Sequence, residues 1–260
     1  MYRPLTKVRT TDIPVTIVVL TKFPHIFRTF FKSVEIYATN VKKVVVKDGD
    51  NLDTEEFCFK ALTNDYKVLL GPKNFSMAGN ANQGWRAVQE DHDILYVGDD
   101  VQFLSNNIVE ELRNTAYSDP SIGLLSPRIL GGCDNPIQNQ ESIEKLIYTR
   151  RSLALICTYI KRSVINKVGY LDDTTFPGTY GWEDYDFCRR VINAGFKLAI
   201  IPQLVVHHGI ERGTDDMRKM GKGTETFFRN NDWNEEDLMK QVRANERRYY
   251  LKWGDTKKEF

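Results

Sequence analysis

Four short apolar runs spaced through the first hundred residues set the strongest limit on what this chain can fold into: VTIVVL at 15–20, KKVVVKDGD at 42–50, YKVLLGP at 66–72 and DILYVGDD at 93–100. Their β-branched and aliphatic content reads as buried strands. Between them lie stretches of helical spacing, with Ile26, Phe30, Val34 and Tyr37 on one face of residues 25–38 and a second helix expected over 79–90. The segment between the second and third runs reads as a short polar helix or loop. Strands alternating with helices are the pattern of βαβ units, so the chain is expected to be an α/β protein with a mostly parallel central sheet flanked by helices, a single Rossmann-like domain.

The second half is less regular. Strands are expected at 122–129 and 152–160, a short helix over SVINKVG ending at Gly169, and a helix over 183–196 with Phe187, Val191 and Ile192 apolar and Gly195 at its end. KLAIIP makes a final strand before VVHHG, and beyond Glu211 the chain is polar, with one helix expected at 235–249. The organisation expected is a domain over 1–210, whose nucleotide-binding half spans about 13–101 and whose acceptor half spans about 102–210, followed by a helical extension over 211–260 packed on the same domain.

A chain of 260 residues that is 41% hydrophobic and 12% aromatic can bury a substantial core. Lys and Arg number 36 against 35 for Asp and Glu, so a net charge of +1 gives no global pull toward nucleic acid or anionic membrane. The basic residues Arg243, Arg247, Arg248, Lys252, Lys257 and Lys258 could touch a membrane surface or an anionic acceptor, but such runs more simply read as a solvated helix face. Cys58, Cys133, Cys157 and Cys188 show neither a CxxC pair nor zinc-like spacing, which points to reduced thiols and a cytoplasmic protein. No run approaches the ~20 apolar residues of a membrane span, and no signal peptide is expected.

In open α/β sheets ligands sit at the carboxyl ends of the strands, where Asp48 and the pair Asp99 and Asp100 fall. Adjacent carboxylates at a strand end can hold a hard divalent cation against phosphate oxygens, although an exposed acidic turn looks the same. Glu183 and Asp184 follow Trp182 and the Gly-rich FPGTYG. A carboxylate there could act as general base, or the group could simply be the acidic first turn of a helix, and the two roles are compatible. His207 and His208 could complete a metal site or bond a diphosphate. Adjacent strand residues face opposite ways, so only one of them is expected to reach a ligand, and the sequence does not say which. In NFSMAGNANQGW (74–85), the glycines permit close approach and the amides could bond a base, ribose or sugar.

Taken in order from Val15 to Gly209, these elements resemble the family 2 glycosyltransferases of the GT-A fold, in particular the rhamnosyltransferase-like branch. VTIVVLTKFP is similar to the family's first strand, though Lys22-Phe23 departs from the usual turn. KKVVVKDGDN looks like its second strand, and Asn74, Ala78, Gly79, Asn82 and Gly84 match its Gly/Asn segment, with Ser76 in place of a Gly. ILYVGDDV is similar to the strand of the Asp-x-Asp motif, with Gly98 standing where the first Asp would be. GLLSPRIL and TYGWEDYDFCRRVINAGFKLAIIPQLVVHHG match the later strand, acidic helix and His, and YYLKWG (249–254) looks like the Lys-Trp-Gly ending of many members.

The resemblance implies an inverting glycosyl transfer from a UDP- or dTDP-sugar to a hydroxyl acceptor, saccharide, lipid-linked or other, assisted by Mn²⁺ or Mg²⁺. It implies Asp184 as general base with Glu183 beside it, Asp186 and Arg189 as structural supports, and Asp100 with His207 or His208 as metal ligands. The donor would be held by Thr21, Asp48, Asn74, Gly79, Asn82, Asp99 and Trp182. Two other readings stand beside it. A nucleotidyltransferase would want a glycine-rich loop after the first strand, which TKFPHIF lacks; a non-catalytic carbohydrate-binding protein would not need these carboxylates and histidines in one cleft.

Overall fold

A computed structural model describes residues 13–21, 24–48, 66–71, 76–133, 135–178, 181–209 and 235–254. The expectations for Lys22-Phe23, Cys58, Asn74, the connection at 51–65 and the chain at 211–234 lie outside those residues.

The N-terminal half runs β1 (Val15–Thr21), α1 (Pro24–Tyr37), β2 (Lys42–Lys47), β3 (Tyr66–Leu70), α2 (Met77–Arg86) and β4 (Asp93–Gly98). The second half runs β5 (Val101–Phe103), α3 (Ile108–Ser118), β6 (Ile122–Gly131), a turn of helix α4 (Pro136–Asn139), β7 (Ile147–Thr149), β8 (Cys157–Ile160), α5 (Arg162–Val168), α6 (Glu183–Asn193), β9 (Lys197–His208) and α7 (Glu235–Trp253). All the strands join one sheet in the order β3-β2-β1-β4-β8-β6-β9-β5, with β7 on the far part of β9.

The runs of β1, β2 and β4 are buried on both faces, which explains why they carry so few polar residues, whereas β3 at the sheet edge is only partly buried. Ile17, Val19, Val45, Leu95 and Val97 face a core closed by Phe27, Phe30 and Val34 of α1 and Leu112 of α3. The alternate residues Val18, Val44, Val46, Ile94 and Tyr96 face a second core closed by Trp85 of α2 and Phe187 and Val191 of α6. Two helical layers therefore sandwich the sheet, as the period-2 alternation of side chains requires.

The expected parallel sheet is present across β3-β2-β1-β4, and β6 pairs β9 in parallel. The pairings β4·β8, β6·β8, β5·β9 and β7·β9 are antiparallel, so the sheet as a whole is mixed rather than mostly parallel. The antiparallel pairs join strands distant in the chain: β8 returns beside β4 only after β5, α3, β6, α4 and β7, so no single βαβ crossover sets its direction. The strand expected over 152–160 shortens to Cys157–Ile160. Upstream, Leu153 N–H donates to Cys188 Sγ (3.3 Å) and Ala154 N–H to Gln138 Oε1 (2.7 Å), which diverts those groups from a sheet ladder.

One irregularity aims the site. KLAIIP and VVHH are a single strand, β9, whose register against β6 jumps from Pro127↔Ile201 to Arg128↔Val205. Pro202, Gln203 and Leu204 are thus extra on the β9 side, in a bulge where two prolines interrupt the ladder. Past it, β9 resumes and pairs with β5, setting His208 opposite Val101.

Helix α2 lies hard against the sheet at Gly84, where a Cβ would meet Val18 Cγ1 at 2.5 Å and Val46 Cγ2 at 3.0 Å. The replacement Gly84→Ala should lower stability by about 1–3 kcal/mol in urea denaturation, because overpacking against two rigid buried valines outweighs the gain in helix propensity. A rise in stability would mean that α2 stands farther from the sheet.

Candidate active site

The parallel register gathers the carboxyl ends of β1, β2 and β4 at one edge: Thr21 sits opposite Lys47, and Leu20 opposite Gly98. Asp48 N–H donates to Thr21 O (2.8 Å), and both residues are buried. The Thr21 hydroxyl has no hydrogen-bond partner among the described residues, an uncommon state for a buried polar atom. Asp99 and Asp100 make the turn between β4 and β5.

Asp100 is 7% exposed and its Oδ1 lies 3.3 Å from His208 Nε2. Of the two candidate histidines, this is the one beside the carboxylate, while His207 Nε2 lies toward Gly131. His208 Nδ1 makes a short hydrogen bond with the Gly132 carbonyl. Donation from Nδ1–H to Gly132 O leaves Nε2 as the nitrogen that faces Asp100, where it carries a proton to the carboxylate or, with a cation between the two, a lone pair to the metal. Burial disfavours the imidazolium, yet the Asp100 carboxylate, the hydrogen bonds to Asp100 and Gly132, and the charge of Asp99 together push His208 up to about 9. Gly98 has its own reason to be glycine: a Cβ there would stand 3.0 Å from Asp100 Oδ1.

These two donors fit a divalent cation. Neighbouring ligands of an octahedral Mg²⁺ at about 2.1 Å are separated by about 3 Å, close to the observed spacing, and such ions keep the rest of their shell for water and phosphate oxygens. Among the described residues no cluster of three or more His, Cys, Asp and Glu side chains could hold a metal, which leaves this pair as their candidate donor set.

The acidic group opens α6. Trp182, the residue before the helix, adopts a left-handed conformation (φ 75°), and its side chain makes no capping bond. The first-turn carboxylates take that place. Tyr185 N–H donates to Asp184 Oδ1 (2.8 Å). Glu183 and Asp184 keep some contact with solvent but are densely enclosed. Burial raises both above the usual carboxylate range, and the charge of Asp184 raises Glu183 further; backbone N–H groups at the helix start oppose both shifts. Tyr96, a buried residue of β4, lies within electrostatic reach of the pair. Burial, then the charges of Glu183, Asp99 and Asp184, push its hydroxyl far above its ordinary value.

Other expected site residues fall differently. Asn82 is fully buried, and its amide is spent on the Leu171 backbone: Nδ2 donates to Leu171 O and Oδ1 accepts from Leu171 N–H, each at 2.9 Å. It ties α2 to the loop after α5 instead of facing a donor. Gly79 sits at the start of α2, its N–H donating to the Ser76 hydroxyl (3.0 Å), beside a cavity of about 600 Å³ lined by Ser76, Gln83, Asp173 and Gly178. The Trp182 ring packs against Tyr185, Tyr249 and Tyr250, with centroids 4.8, 5.1 and 5.7 Å away. Asp186 is fully buried, 2.8 Å from Arg190 Nε and 2.6 Å from Lys252 Nζ, so it serves as a structural anchor. Tyr96 and Gly132 are participants that the sequence reading missed. Tyr96 could have been found by strand alternation, two residues before Gly98, and Gly132 by the Gly-Gly that ends the sixth strand.

Nine strands in this order, with carboxylates and a histidine at one edge, can be compared with known proteins. In solved structures the chain superposes on GalNAc-T7 crystallised with UDP, GalNAc and Mn²⁺ (TM-score 0.62, 12% identity, 90% of this chain and 55% of that one). It also superposes on Staphylococcus aureus TarS residues 1–349 (TM-score 0.56, 12% identity, 92% of this chain and 72% of that one). The fold is that of the GT-A glycosyltransferases.

Sequence comparison points the same way. The chain is 27% identical to a pre-mycofactocin glycosyltransferase of Mycobacterium tuberculosis, over 65% of this chain and 37% of that relative. It is 19% identical to the O-antigen chain rhamnosyltransferase WbaN of Salmonella anatum, over 69% of this chain and 60% of that protein. The chain thus spans little more than a third of the first relative's length. No family model matches it. Among the described residues no helix is long and apolar enough to cross a membrane.

Because the folded pKa of Glu183 lies above its unfolded value, the native state holds that proton more tightly, and stability falls as pH rises from about 4 toward the raised pKa. Glu183→Gln removes this cost. Relative to wild type, the variant should gain on the order of 1 kcal/mol between pH 5 and pH 9, measured by chemical denaturation; parallel stability curves would show that Glu183 is solvated.

Proposed function

We propose that this chain is an inverting glycosyltransferase that moves a sugar from a UDP- or dTDP-sugar to an acceptor hydroxyl. What supports the reading is that Asp100 pairs with His208 at the end of the β4 strand, while the charges of Glu183, Asp184 and Asp99 all act on the buried Tyr96 hydroxyl of the same strand. The Asp100–His208 pair suits a diphosphate and its counter-ion; the Glu183–Asp184 pair suits a hydroxyl that must lose a proton. The GalNAc-T7 neighbour was crystallised with UDP and Mn²⁺, which supports a nucleotide diphosphate and a divalent ion here.

Asp48 and Thr21, at the ends of β2 and β1, are assigned to the base and ribose of the donor, with Asp99, Gly79, Asn74 and Trp182 completing the donor site. Asp100 and His208 would hold Mn²⁺ or Mg²⁺, which would offset negative charge on the departing diphosphate. Asp184 acts as general base. One of its oxygens is fixed by the Tyr185 N–H, and the other accepts the acceptor's proton as that hydroxyl oxygen attacks the anomeric carbon from the face opposite the diphosphate. A carboxylate raised toward neutral pH suits this task, since it holds the abstracted proton better than a solvated one. Glu183, also raised, keeps the local charge low. The acceptor is a saccharide, lipid-linked or other hydroxyl, and the reaction is assigned to the cytoplasm, consistent with buried Cys157 and Cys188 that form no disulfide.

Two variants test this reading. In a thermal-shift panel of UDP, dTDP, GDP and CDP with Mn²⁺, wild type should be stabilised by one diphosphate and Asp100→Ala should lose that metal-dependent shift; no shift with any of the four sinks the donor assignment. Asp184→Asn should bind the same diphosphate and turn over at least about 100-fold more slowly, in line with loss of a positioned general base. Full turnover in that variant assigns the base elsewhere.

A further inference from the structure

The carboxylates at the start of α6 depend on a turn with unusual backbone geometry. Gly178 and Gly181 both have φ +97° and Trp182 has φ 75°, a conformation that a bulky residue keeps only when its surroundings hold it there. What surrounds this turn is α7. Its residues Gln241, Asn245, Tyr249 and Lys252–Trp253 recur at three- and four-residue spacing, so one face of the helix meets the turn.

The contacts touch Pro177, Gly178 and the segment from Gly181 to Asp186. Gln241 Nε2 donates to Pro177 O (3.1 Å) and Asn245 Nδ2 to Gly181 O (3.0 Å). Tyr249, 1% exposed, packs under the Trp182 ring. Trp253 Nε1 donates to Asp186 Oδ1 (3.1 Å), and Lys252 Nζ reaches both Asp186 Oδ1 (2.6 Å) and Asp172 Oδ2 (2.7 Å). A side chain at Gly178 would collide with the Gln241 amide at 3.1–3.2 Å, so the glycine serves both the turn and the approach of α7. Asn245 is the centre of this contact and is 1% exposed. Its Oδ1 accepts from Gln241 Nε2 (3.2 Å) and Arg248 Nη1 (2.6 Å), which settles the amide's orientation and leaves Nδ2 to face Gly181.

We propose that α7 is a latch, with Asn245 as its positioning residue, that holds the Gly181–Trp182 turn and so aims Glu183 and Asp184 at the acceptor. This rests on the assignment of those carboxylates to the reaction. Asn245 acts through Gly181 and touches no substrate. Its loss should therefore lower turnover and leave binding of the bare nucleoside diphosphate, assigned to Thr21, Asp48 and Asp100, alone, whereas a purely structural residue would lower stability without dividing the two.

The informative variant is Asn245→Asp, which keeps the size of the side chain and the acceptor for Arg248 but cannot donate to Gly181 O. Three readouts are taken on the full chain: the melting temperature, the Mn²⁺-dependent shift with UDP or dTDP, and turnover with UDP-glucose, UDP-N-acetylgalactosamine or dTDP-rhamnose. Hydrogen–deuterium exchange of the amides at 182–186 is followed in parallel. The expected result is a melting temperature and nucleotide shift near wild type, faster exchange at 182–186, and turnover reduced about 10- to 100-fold, as for catalytic groups displaced by about 1 Å.

Wild-type exchange together with wild-type turnover overturns the latch. If Asn245→Asp fails to fold, Gln241→Ala, which removes the bonds to Pro177 O and to Asn245 Oδ1 but keeps the Asn245–Gly181 bond, is read in its place. Faster exchange at 182–186 then supports the proposal, and unchanged exchange overturns it. Asp184→Asn separates the two levels of the argument. An active Asp184→Asn sinks the base assignment, whereas an inactive Asp184→Asn beside a fully active, folded Asn245→Asp sinks the latch alone.

Discussion

The structure depends first on the register of β1, β2 and β4. These strands are buried on both faces, so a slip of one residue would carry every side chain into the opposite core. With the register held, Thr21 aligns with Lys47 and Leu20 with Gly98, and three strand ends arrive at one edge. That edge then carries Thr21, Asp48, Asp99 and Asp100 with no further design. The packing of α2 reinforces it, because Gly84 lets the helix approach Val18 and Val46 so closely that the helix has little freedom to slide.

The second half supplies what the parallel strands lack, and it does so by departures from regularity. Three extra residues after Ile201 reset β9 against β6 and bring its end alongside β5. His208 then stands beside Asp100, steadied from behind by the Gly132 carbonyl. A left-handed turn at Trp182 starts α6 so that two carboxylates fall on its first turn, where the helix N–H groups moderate the cost of their burial. The glycosyltransferase likeness rests on shared topology, whereas the reading of this edge as a site rests on charge and distance.

Some parts of this were legible from residues alone. The apolar runs marked the buried strands, and the positions of Gly169 and Gly195 marked helix ends, both with positive φ in the structure. The carboxylates at 99–100 and 183–184 drew attention because strand ends and helix starts are where such groups do chemistry. Asn82 shows the converse. Its place in a motif of amides suggested a ligand, but an amide can satisfy a distant backbone just as well, and nothing local tells Leu171 O from a sugar hydroxyl. The strand expected at 152–154 failed for a related reason, since its N–H groups found Cys188 and Gln138, partners distant in sequence.

The sequence by itself determined the α/β alternation, the sides of the strands that face each core, and the chemical types available at the strand ends, because these follow from hydrophobic period and from residue identity. Only the tertiary structure decided that His208 and not His207 meets Asp100, that Asn82 is an internal tie, and that the C-terminal helix closes on the turn before Asp184. Each of those outcomes turns on a long-range pairing, a bulge or a helix docking. Such pairings depend on how separate segments meet in space, and no local spacing encodes that meeting.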